Sequence, residues 1–176
     1  MLHKIQKILI VSTITLLIMI PLHAEEAEMP VETITWFDFE EGISAAATEG
    51  KDIIIDFYTN WCHWCHEMDK TTFKDSSVVS FMNENFIAVR VNAESVTDNV
   101  TFKGMTLNLR ELTSAFGISG FPSYAFMTQD ADMITVVPGY LQSELFLNIL
   151  KYISQKCYDR QISFDQFMEK QGECND

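Results

Sequence analysis

The chain has 176 residues, enough for one ordinary domain with a short extra segment but not for two large domains. Its composition, 47% hydrophobic and 21% charged, is that of a folded globule and excludes a largely disordered chain. The formal net charge of −13 predicts an acidic surface, which repels nucleic acid and anionic lipid and so argues against both as partners.

Residues 1–24 have the pattern of a secretory signal peptide. Lys4 and Lys7 lie in a basic start, and an uncharged, apolar core follows over residues 8–20. This core is shorter than the about 20 residues that a membrane-spanning helix needs. We therefore expect cleavage near Glu25, a periplasmic or otherwise secreted protein, and no stable membrane insertion after cleavage. An uncleaved membrane anchor is the alternative.

The mature chain is predicted to begin with a strand, a helix and a second strand. The first strand is expected over residues 33–37. A capping box of Asp38 and Glu41 would then open a helix that ends near Gly50. Residues 53–58 form a β-branched and aromatic run, which is typical of a central strand buried on both faces.

Two helices and a strand are expected next. The first helix opens within residues 61–70. The second is expected to be capped by Ser76 or Ser77 and to run through Asn85, and a strand over residues 86–91 follows it. The buried side of the second helix is predicted to carry Val78, Phe81 and Met82.

The pattern is weaker over residues 92–109, where Gly104 is expected to turn a small hairpin. A helix is predicted over residues 110–116. Strands over residues 123–127 and 133–137 are close enough in sequence to form an antiparallel hairpin, so the sheet should be mixed. Alternating strands and helices around this sheet predict an α/β fold.

The last helix of the chain is expected to be amphipathic and to begin at Ser143. Its predicted apolar side carries Leu145, Ile149, Leu150 and Ile153. The tail that follows contains three large apolar residues and is expected to pack back on the domain; they are Phe164, Phe167 and Met168. The predicted organisation is a signal peptide (1–24), a lead-in (25–35), one domain (36–156) and a C-terminal extension (157–176).

Four cysteines lie in the mature part of the chain: Cys62, Cys65, Cys157 and Cys174. Export would place them where disulfides persist, and four cysteines allow three pairings. A C-x-x-C spacing is too tight for an ordinary structural staple, whereas the separation between Cys157 and Cys174 is not. We therefore expect Cys157 to pair with Cys174 as a structural disulfide and Cys62 to pair with Cys65.

The motif over residues 61–66 follows a buried strand and opens a helix. Unpaired backbone N–H groups and the helix dipole stabilise a thiolate at such a position, so Cys62 is predicted to be a nucleophile. It would attack a substrate disulfide, and Cys65, one turn further on, would then attack Cys62 and release the reduced substrate.

Residues 56–65 resemble the active-site strand and helix of the thioredoxin superfamily, and the longer run to Phe73 is similar to the C-terminal domain of DsbD and to related periplasmic thioredoxin-like proteins. Residues 117–123 resemble the family's cis-proline loop. Residues 138–140 match the segment around a family glycine that lies further along the chain, here Gly139. Over residues 36–153 the resemblance implies a thioredoxin fold, with a mixed central β-sheet flanked by helices on both faces, and a thiol–disulfide oxidoreductase without a cofactor.

The resemblance also implies roles for single residues. Asp56 is similar to the family's buried acid, which would take a proton from Cys65 through water. Arg90 resembles the basic residue near that acid. Pro122 is implied to follow a cis peptide bond beside the sulfurs, with the backbone of Phe121 pairing to an extended substrate.

Further substrate-binding residues are expected around the cysteines. Trp61, Trp64 and Phe121 would form an apolar collar, with Trp64 the best candidate for exposure. His63, if protonated, would stabilise the thiolate and make the couple more oxidising. His66 is expected to be a helix-face residue rather than a catalytic one.

The expected activity is reduction of protein disulfides, with disulfide-containing clients and a membrane thiol electron donor as partners. A dithiol oxidase or isomerase of the same fold is the alternative within this class. Three alternatives lie outside this class. Cys62, Cys65 and His66 also match the c-type haem attachment pattern. The two cysteines and two histidines of residues 62–66 could suggest a zinc site, and a redox-inactive binding module is the third alternative.

Overall fold

The computed structural model describes residues 32–174. The predicted signal peptide and its cleavage site lie outside these described residues, as does most of the lead-in. Within residues 32–174 no helix is both long enough and apolar enough to cross a membrane.

Seven strands form a five-stranded sheet and a separate hairpin. They are β1 (Trp36–Phe37), β2 (Asp52–Tyr58), β3 (Phe86–Asn92), β4 (Asn99–Phe102), β5 (Met105–Asn108), β6 (Ser123–Met127) and β7 (Met133–Pro138). The large sheet has the order β1-β3-β2-β6-β7; β3 runs parallel to β1 and β2, whereas β6 is antiparallel to β2 and β7. The predicted mixed sheet and the hairpin turned at Gly104 are confirmed.

Helices cover both faces of this sheet. They are α1 (Phe39–Glu49), α2 (His63–Lys70), α3 (Ser76–Asn85), α4 (Leu109–Ala115), α5 (Ser143–Ser154) and α6 (Phe164–Glu169). One apolar layer joins the sheet to α2, α3 and α5 through Met68, Met82 and Phe146. The other joins it to α1 and α4 through Phe39 and Leu112.

Strand β2 is the centre of the sheet and is buried on both faces, as its composition predicts. Its side chains alternate between the two layers: Ile54 packs with the α2 side, whereas Ile55 and Phe57 pack with the α1 side. Asp56 therefore points toward α2 from the middle of the fold, where only a polar partner can offset its burial.

Two predicted helix starts were wrong in detail. Asp38 precedes α1, but its side chain makes no capping hydrogen bond, so the expected capping box with Glu41 is absent. Helix α3 is capped by Asp75, whose Oδ1 accepts hydrogen bonds from the backbone N–H groups of Ser77 (3.0 Å) and Val78 (3.1 Å). A carboxylate in extended backbone one residue earlier supplies the acceptor that a serine was expected to supply.

Three of the four residues predicted for the apolar side of α5 are buried, namely Ile149, Leu150 and Ile153, and the prediction was wrong only at Leu145. Leu145 is 41% exposed, whereas Phe146 is fully buried and packs edge-on against Tyr124 at a ring-centroid distance of 5.2 Å. An aromatic ring that reaches the sheet fixes the helix rotation, and its neighbour Leu145 then faces outward.

The C-terminal extension folds against α5. The Tyr152 hydroxyl donates to the carbonyl of Ile162 (2.7 Å), and Phe167 is fully buried beside the Cys157–Cys174 disulfide. Helix α5 is therefore not the last helix of the chain, since α6 follows it.

Candidate active site

Cys62 and Cys65 lie where β2 gives way to α2. Cys62 is the N-cap of α2 with extended backbone, and its Sγ accepts a hydrogen bond from the backbone N–H of Cys65 at 3.0 Å. The two sulfurs are joined in a disulfide, with 5.3 Å between the Cα atoms. One sulfur thus lies at the positive end of the helix, where backbone donors stabilise negative charge.

Aromatic rings surround this disulfide. Trp61 and Trp64, its chain neighbours, are 68% and 53% exposed, whereas both cysteines are nearly buried. Trp61 packs edge-on against Phe121 (6.2 Å between centroids), and Trp64 lies against Tyr140 (5.2 Å). Trp61 rather than Trp64 is the more exposed, because Tyr140 covers one side of Trp64.

Tyr140 was not predicted as part of this collar. The sequence signal was present, since residues 138–140 match a family motif, but only its glycine was given meaning. In the structure the Tyr140 hydroxyl also lies 3.3 Å from the hydroxyl of Thr71, at the end of α2.

The loop before β6 carries the proline implied by the resemblance. The peptide bond between Phe121 and Pro122 is cis. The carbonyl of Pro122 accepts from the backbone N–H of Gly139 (2.8 Å), and the Ser123 hydroxyl donates to the carbonyl of Gly120 (2.8 Å). The first bond joins the loop to the residue that follows β7, and the second closes the loop on itself.

Asp56 and Arg90 form an ion pair beneath α2. Asp56 is 1% exposed, and its Oδ2 accepts from Arg90 Nε at 3.0 Å. The guanidinium also donates to Asp69 Oδ1, and it lies over the rings of Trp36 (5.0 Å) and Tyr58 (4.8 Å). Arg90 therefore links the sheet to the helix that carries the cysteines.

Asp69 was missed by sequence reasoning, although its position on α2 offers a signal. It lies four residues after Cys65, on the same side of a helix whose inner face points at Arg90. Asp69 is partly exposed, so it connects the buried pair to the protein surface.

Burial raises the pKa of Asp56 to about 6, because the interior disfavours the carboxylate. The charge and hydrogen bond of Arg90 hold the pKa below what burial alone would give, and Asp69 raises it again. The same carboxylates raise the pKa of Arg90, despite the opposing effect of burial. Asp56 can therefore change protonation state close to neutral pH.

Three buried side-chain oxygens near this region have no hydrogen-bond partner within the described part of the chain. They are Asp56 Oδ1, Thr59 Oγ1 and the Tyr124 hydroxyl. Tyr124 was not predicted as a site residue, because in sequence it looks like an ordinary core residue of a strand.

The two histidines of the motif lie on the exposed side of α2. His66 Nε2 is 2.9 Å from the carbonyl oxygen of Asn60, and the His63 ring lies 5.3 Å from the ring of Trp64. The haem alternative implied a mainly helical protein, and the five-stranded sheet disagrees with it.

Comparison with known proteins agrees with this geometry. Residues 20–173 match the model of the thioredoxin-like DsbH family, described as "Protein of unknown function, DUF255". The chain is 27% identical to the thiol:disulfide interchange protein DsbD of Pseudoalteromonas atlantica over 128 residues, which are 70% of this chain and 20% of that protein. It is 28% identical to an uncharacterised protein of Caenorhabditis elegans over 115 residues, 65% of this chain and 15% of that protein.

A solved thioredoxin-fold protein from Helicobacter pylori superimposes with a TM-score of 0.59 and 18% identity, covering 75% of this chain and 92% of that one. The curated relatives are longer proteins, of which this chain spans about a fifth or less. The fold is therefore the thioredoxin fold, and the chain belongs to the thioredoxin-like DsbH family within the thioredoxin superfamily.

Proposed function

We propose that this thioredoxin-like thiol–disulfide oxidoreductase reduces disulfides in exported client proteins through Cys62 and Cys65. The observation that carries the proposal is the position of Cys62 at the N-cap of α2, where its sulfur already accepts a backbone N–H. A sulfur held in this way is a stabilised thiolate once the disulfide is reduced.

In the reduced protein, Cys62 thiolate attacks one sulfur of the client disulfide, and the other client sulfur leaves as a thiolate that takes a proton. A mixed disulfide between Cys62 and the client results. Cys65 then loses its proton and attacks Cys62, the Cys62–client bond breaks, and the second client thiol leaves. Two electrons pass to the client, and the Cys62–Cys65 disulfide is the oxidised product.

Asp56 is the proposed acceptor of the Cys65 proton. Its pKa of about 6 keeps it mostly ionised at neutral pH, yet close enough to neutrality to hold a proton briefly. A carboxyl with an ordinary pKa would bind that proton more weakly.

The proposed client surface is the aromatic collar with the cis-proline loop, formed by Trp61, His63, Trp64, Phe121 and Pro122. The two tryptophans supply exposed apolar area beside the sulfurs, and Tyr140 steadies Trp64. An extended segment of an unfolded or flexible client fits such a site, because its backbone can pair with the loop while its side chains contact the rings.

The proposal includes export to the periplasm or another secretory compartment, with removal of residues 1–24 as a signal peptide. The mature protein would then consist of a lead-in (25–35), the thioredoxin-like domain (36–156) and a C-terminal extension (157–176). The electrons would come from a membrane thiol donor. N-terminal sequencing of the exported protein tests this part, and a mature chain that retains Lys4 and Lys7 would contradict it.

Trapping tests the chemistry. Cys65→Ser removes the resolving thiol, so mixed disulfides with clients should accumulate on Cys62. The matched control is Cys62→Ser, which leaves a single thiol at the other position and should trap far less. Equal trapping by both variants would refute the assigned order of attack, whereas no trapping by either would favour a redox-inactive binding module.

The reduction potential of the Cys62–Cys65 couple tests the direction. A value near about −270 mV, as in thioredoxin, supports a reductase. A value near about −120 mV marks a strong oxidant, and the alternative of a dithiol oxidase would then replace the reductase.

A further inference from the structure

Three polar residues form a row across the centre of the sheet. Asp56 on β2 pairs in register with Arg90 on β3 and, on its other side, with Tyr124 on β6. Directly opposite residues of neighbouring strands point to the same face. All three side chains therefore point toward the layer that contains α2, and Asp56 is the middle one.

The two sides of Asp56 differ in their hydrogen bonding. On the Arg90 side, Oδ2 accepts a hydrogen bond at 3.0 Å. On the Tyr124 side, Oδ1 has no partner in the described structure, and neither has the Tyr124 hydroxyl. Asp56 is 1% exposed and Tyr124 is fully buried, so bulk water does not reach these two oxygens.

Electrostatics link the same two groups. After burial itself, the Asp56 carboxylate is the largest influence on the pKa of Tyr124, which it raises. The phenol oxygen therefore lies within electrostatic reach of that carboxylate. Two buried oxygens without partners, carried by residues that are in register on adjacent strands, are a usual setting for an internal water, since leaving both unpaired is costly.

We propose that Tyr124 is a positioning residue for Asp56: its hydroxyl and Asp56 Oδ1 hold one internal water that carries the proton from Cys65. The proposal rests on the proposed function, in which Asp56 receives that proton. The water donates to Oδ1 and accepts from the Tyr124 hydroxyl. As Cys65 gives its proton to the water, the water gives one of its own to Oδ1, and no net charge is created.

Tyr124 acts only as a donor in this step. Burial raises its pKa above the ordinary value for tyrosine, so the phenol stays neutral while Asp56 titrates. The charged or titratable groups that face the pair are Arg90 on β3, Asp69 on α2 and Tyr140 before α5. Arg90 already occupies Oδ2, which leaves Oδ1 to receive the proton.

The test is Tyr124→Phe, which removes the hydroxyl and keeps the ring. The Asp56 carboxyl is titrated by carbon-13 NMR in the oxidised protein, where the cysteines do not titrate and Asp69 gives a separate signal. Without the Tyr124 hydroxyl the water that donates to Oδ1 is no longer held, and the loss of that donor should raise the Asp56 pKa by about one unit. An unchanged Asp56 pKa would overturn the proposal.

Tyr152→Phe is the matched control. It removes a tyrosine hydroxyl that donates to the carbonyl of Ile162 in the C-terminal extension, and it should leave the Asp56 pKa unchanged. An equal shift in both variants would show a general loss of stability and would count against the proposal.

A second measurement needs no change at Tyr124. In the wild-type protein, the ring carbon that bears the Tyr124 hydroxyl should shift with the midpoint of Asp56, and this response should vanish in Asp56→Asn. A flat Tyr124 signal would overturn the proposal even if Tyr124→Phe failed to fold.

Failure of the underlying mechanism looks different. If Asp56→Asn resolves the mixed disulfide as fast as wild type, Asp56 is not the proton acceptor, whatever its pKa. If Asp56→Asn resolves the mixed disulfide slowly but Tyr124→Phe resolves it at the wild-type rate at all pH values, Asp56 is still the proton acceptor and Tyr124 does not position it.

Discussion

The Asp56 carboxylate should make the folded protein less stable at neutral pH, and Asp56→Asn should therefore stabilise it. The pKa of Asp56 rises from 3.8 to about 6 in the folded chain because burial disfavours the ionised form. One pKa unit corresponds to about 1.4 kcal/mol, so keeping this group ionised in the folded state costs about 3 kcal/mol. Asp56 is 1% exposed, so solvent screens little of this cost.

The sign follows from proton binding. The folded state holds the Asp56 proton more tightly than the unfolded state does. The stability that this proton contributes is therefore fully present below the unfolded-state pKa of 3.8. It is lost as the pH rises through the folded pKa of about 6. Asparagine has the same shape and no charge, but it leaves Arg90 with one carboxylate partner fewer. The net gain at about pH 8 is expected to be about 2 kcal/mol, after about 1 kcal/mol for the lost hydrogen bond.

Urea unfolding of the oxidised proteins at several pH values between about 4 and 8 measures this gain. The free energy of unfolding of Asp56→Asn should exceed that of wild type at about pH 8 and approach it at about pH 4. Asp69→Asn is the matched control, since it alters the other carboxylate of Arg90 at a partly exposed position and should give no gain. A pH-independent difference between Asp56→Asn and wild type would refute the linkage.

Three other outcomes follow from contacts elsewhere. Cys157→Ser should lower the free energy of unfolding by about 3 kcal/mol, because it opens the loop that the buried Cys157–Cys174 disulfide closes. The reduction potential of the Cys62–Cys65 couple should not change, and equal urea midpoints for variant and wild type would show that the disulfide does not form. Gly42→Ala should lower the free energy of unfolding by about 1–3 kcal/mol, because the added methyl would meet Val89 Cγ2. Gly120 has open space around it, so Gly120→Ala should leave the free energy of unfolding unchanged in the same urea assay. Trp64→Ala should change stability by less than about 1 kcal/mol yet weaken client reduction several-fold in a turnover assay, and unchanged turnover would remove this ring from the client surface.

The parts of the site that a single run of sequence carries could be predicted. Asp56 lies on β2, and Cys62 and Cys65 lie at the start of α2. The spacing of the two cysteines predicted their pairing, whereas the resemblance to the thioredoxin superfamily implied the role of Asp56. The cis-proline loop, with Pro122, was found because its motif resembles a known one.

The residues that tune this site could not be found in the same way. Asp69, Tyr124 and Tyr140 reach it from α2, β6 and the loop before α5. Helix position and a matched motif offered a weak signal for Asp69 and Tyr140, whereas Tyr124 looks like an ordinary core residue of a strand. Their importance depends on strand register and helix rotation. At α5, for example, the prediction missed Phe146, which faces the core, and wrongly included Leu145.

The arrangement around Arg90 explains how a buried carboxyl can serve at neutral pH. Burial alone would push the pKa of Asp56 well upward and keep the group protonated, so that it could accept nothing from Cys65. A single undivided ion pair with Arg90 would pull the pKa toward its ordinary value, so that it would hold a proton only weakly. Arg90 instead divides its charge between Asp56 and Asp69, and the Asp56 pKa settles at about 6. The cost to stability and the capacity for proton transfer therefore have the same origin, and a variant that removes the first should also remove the second.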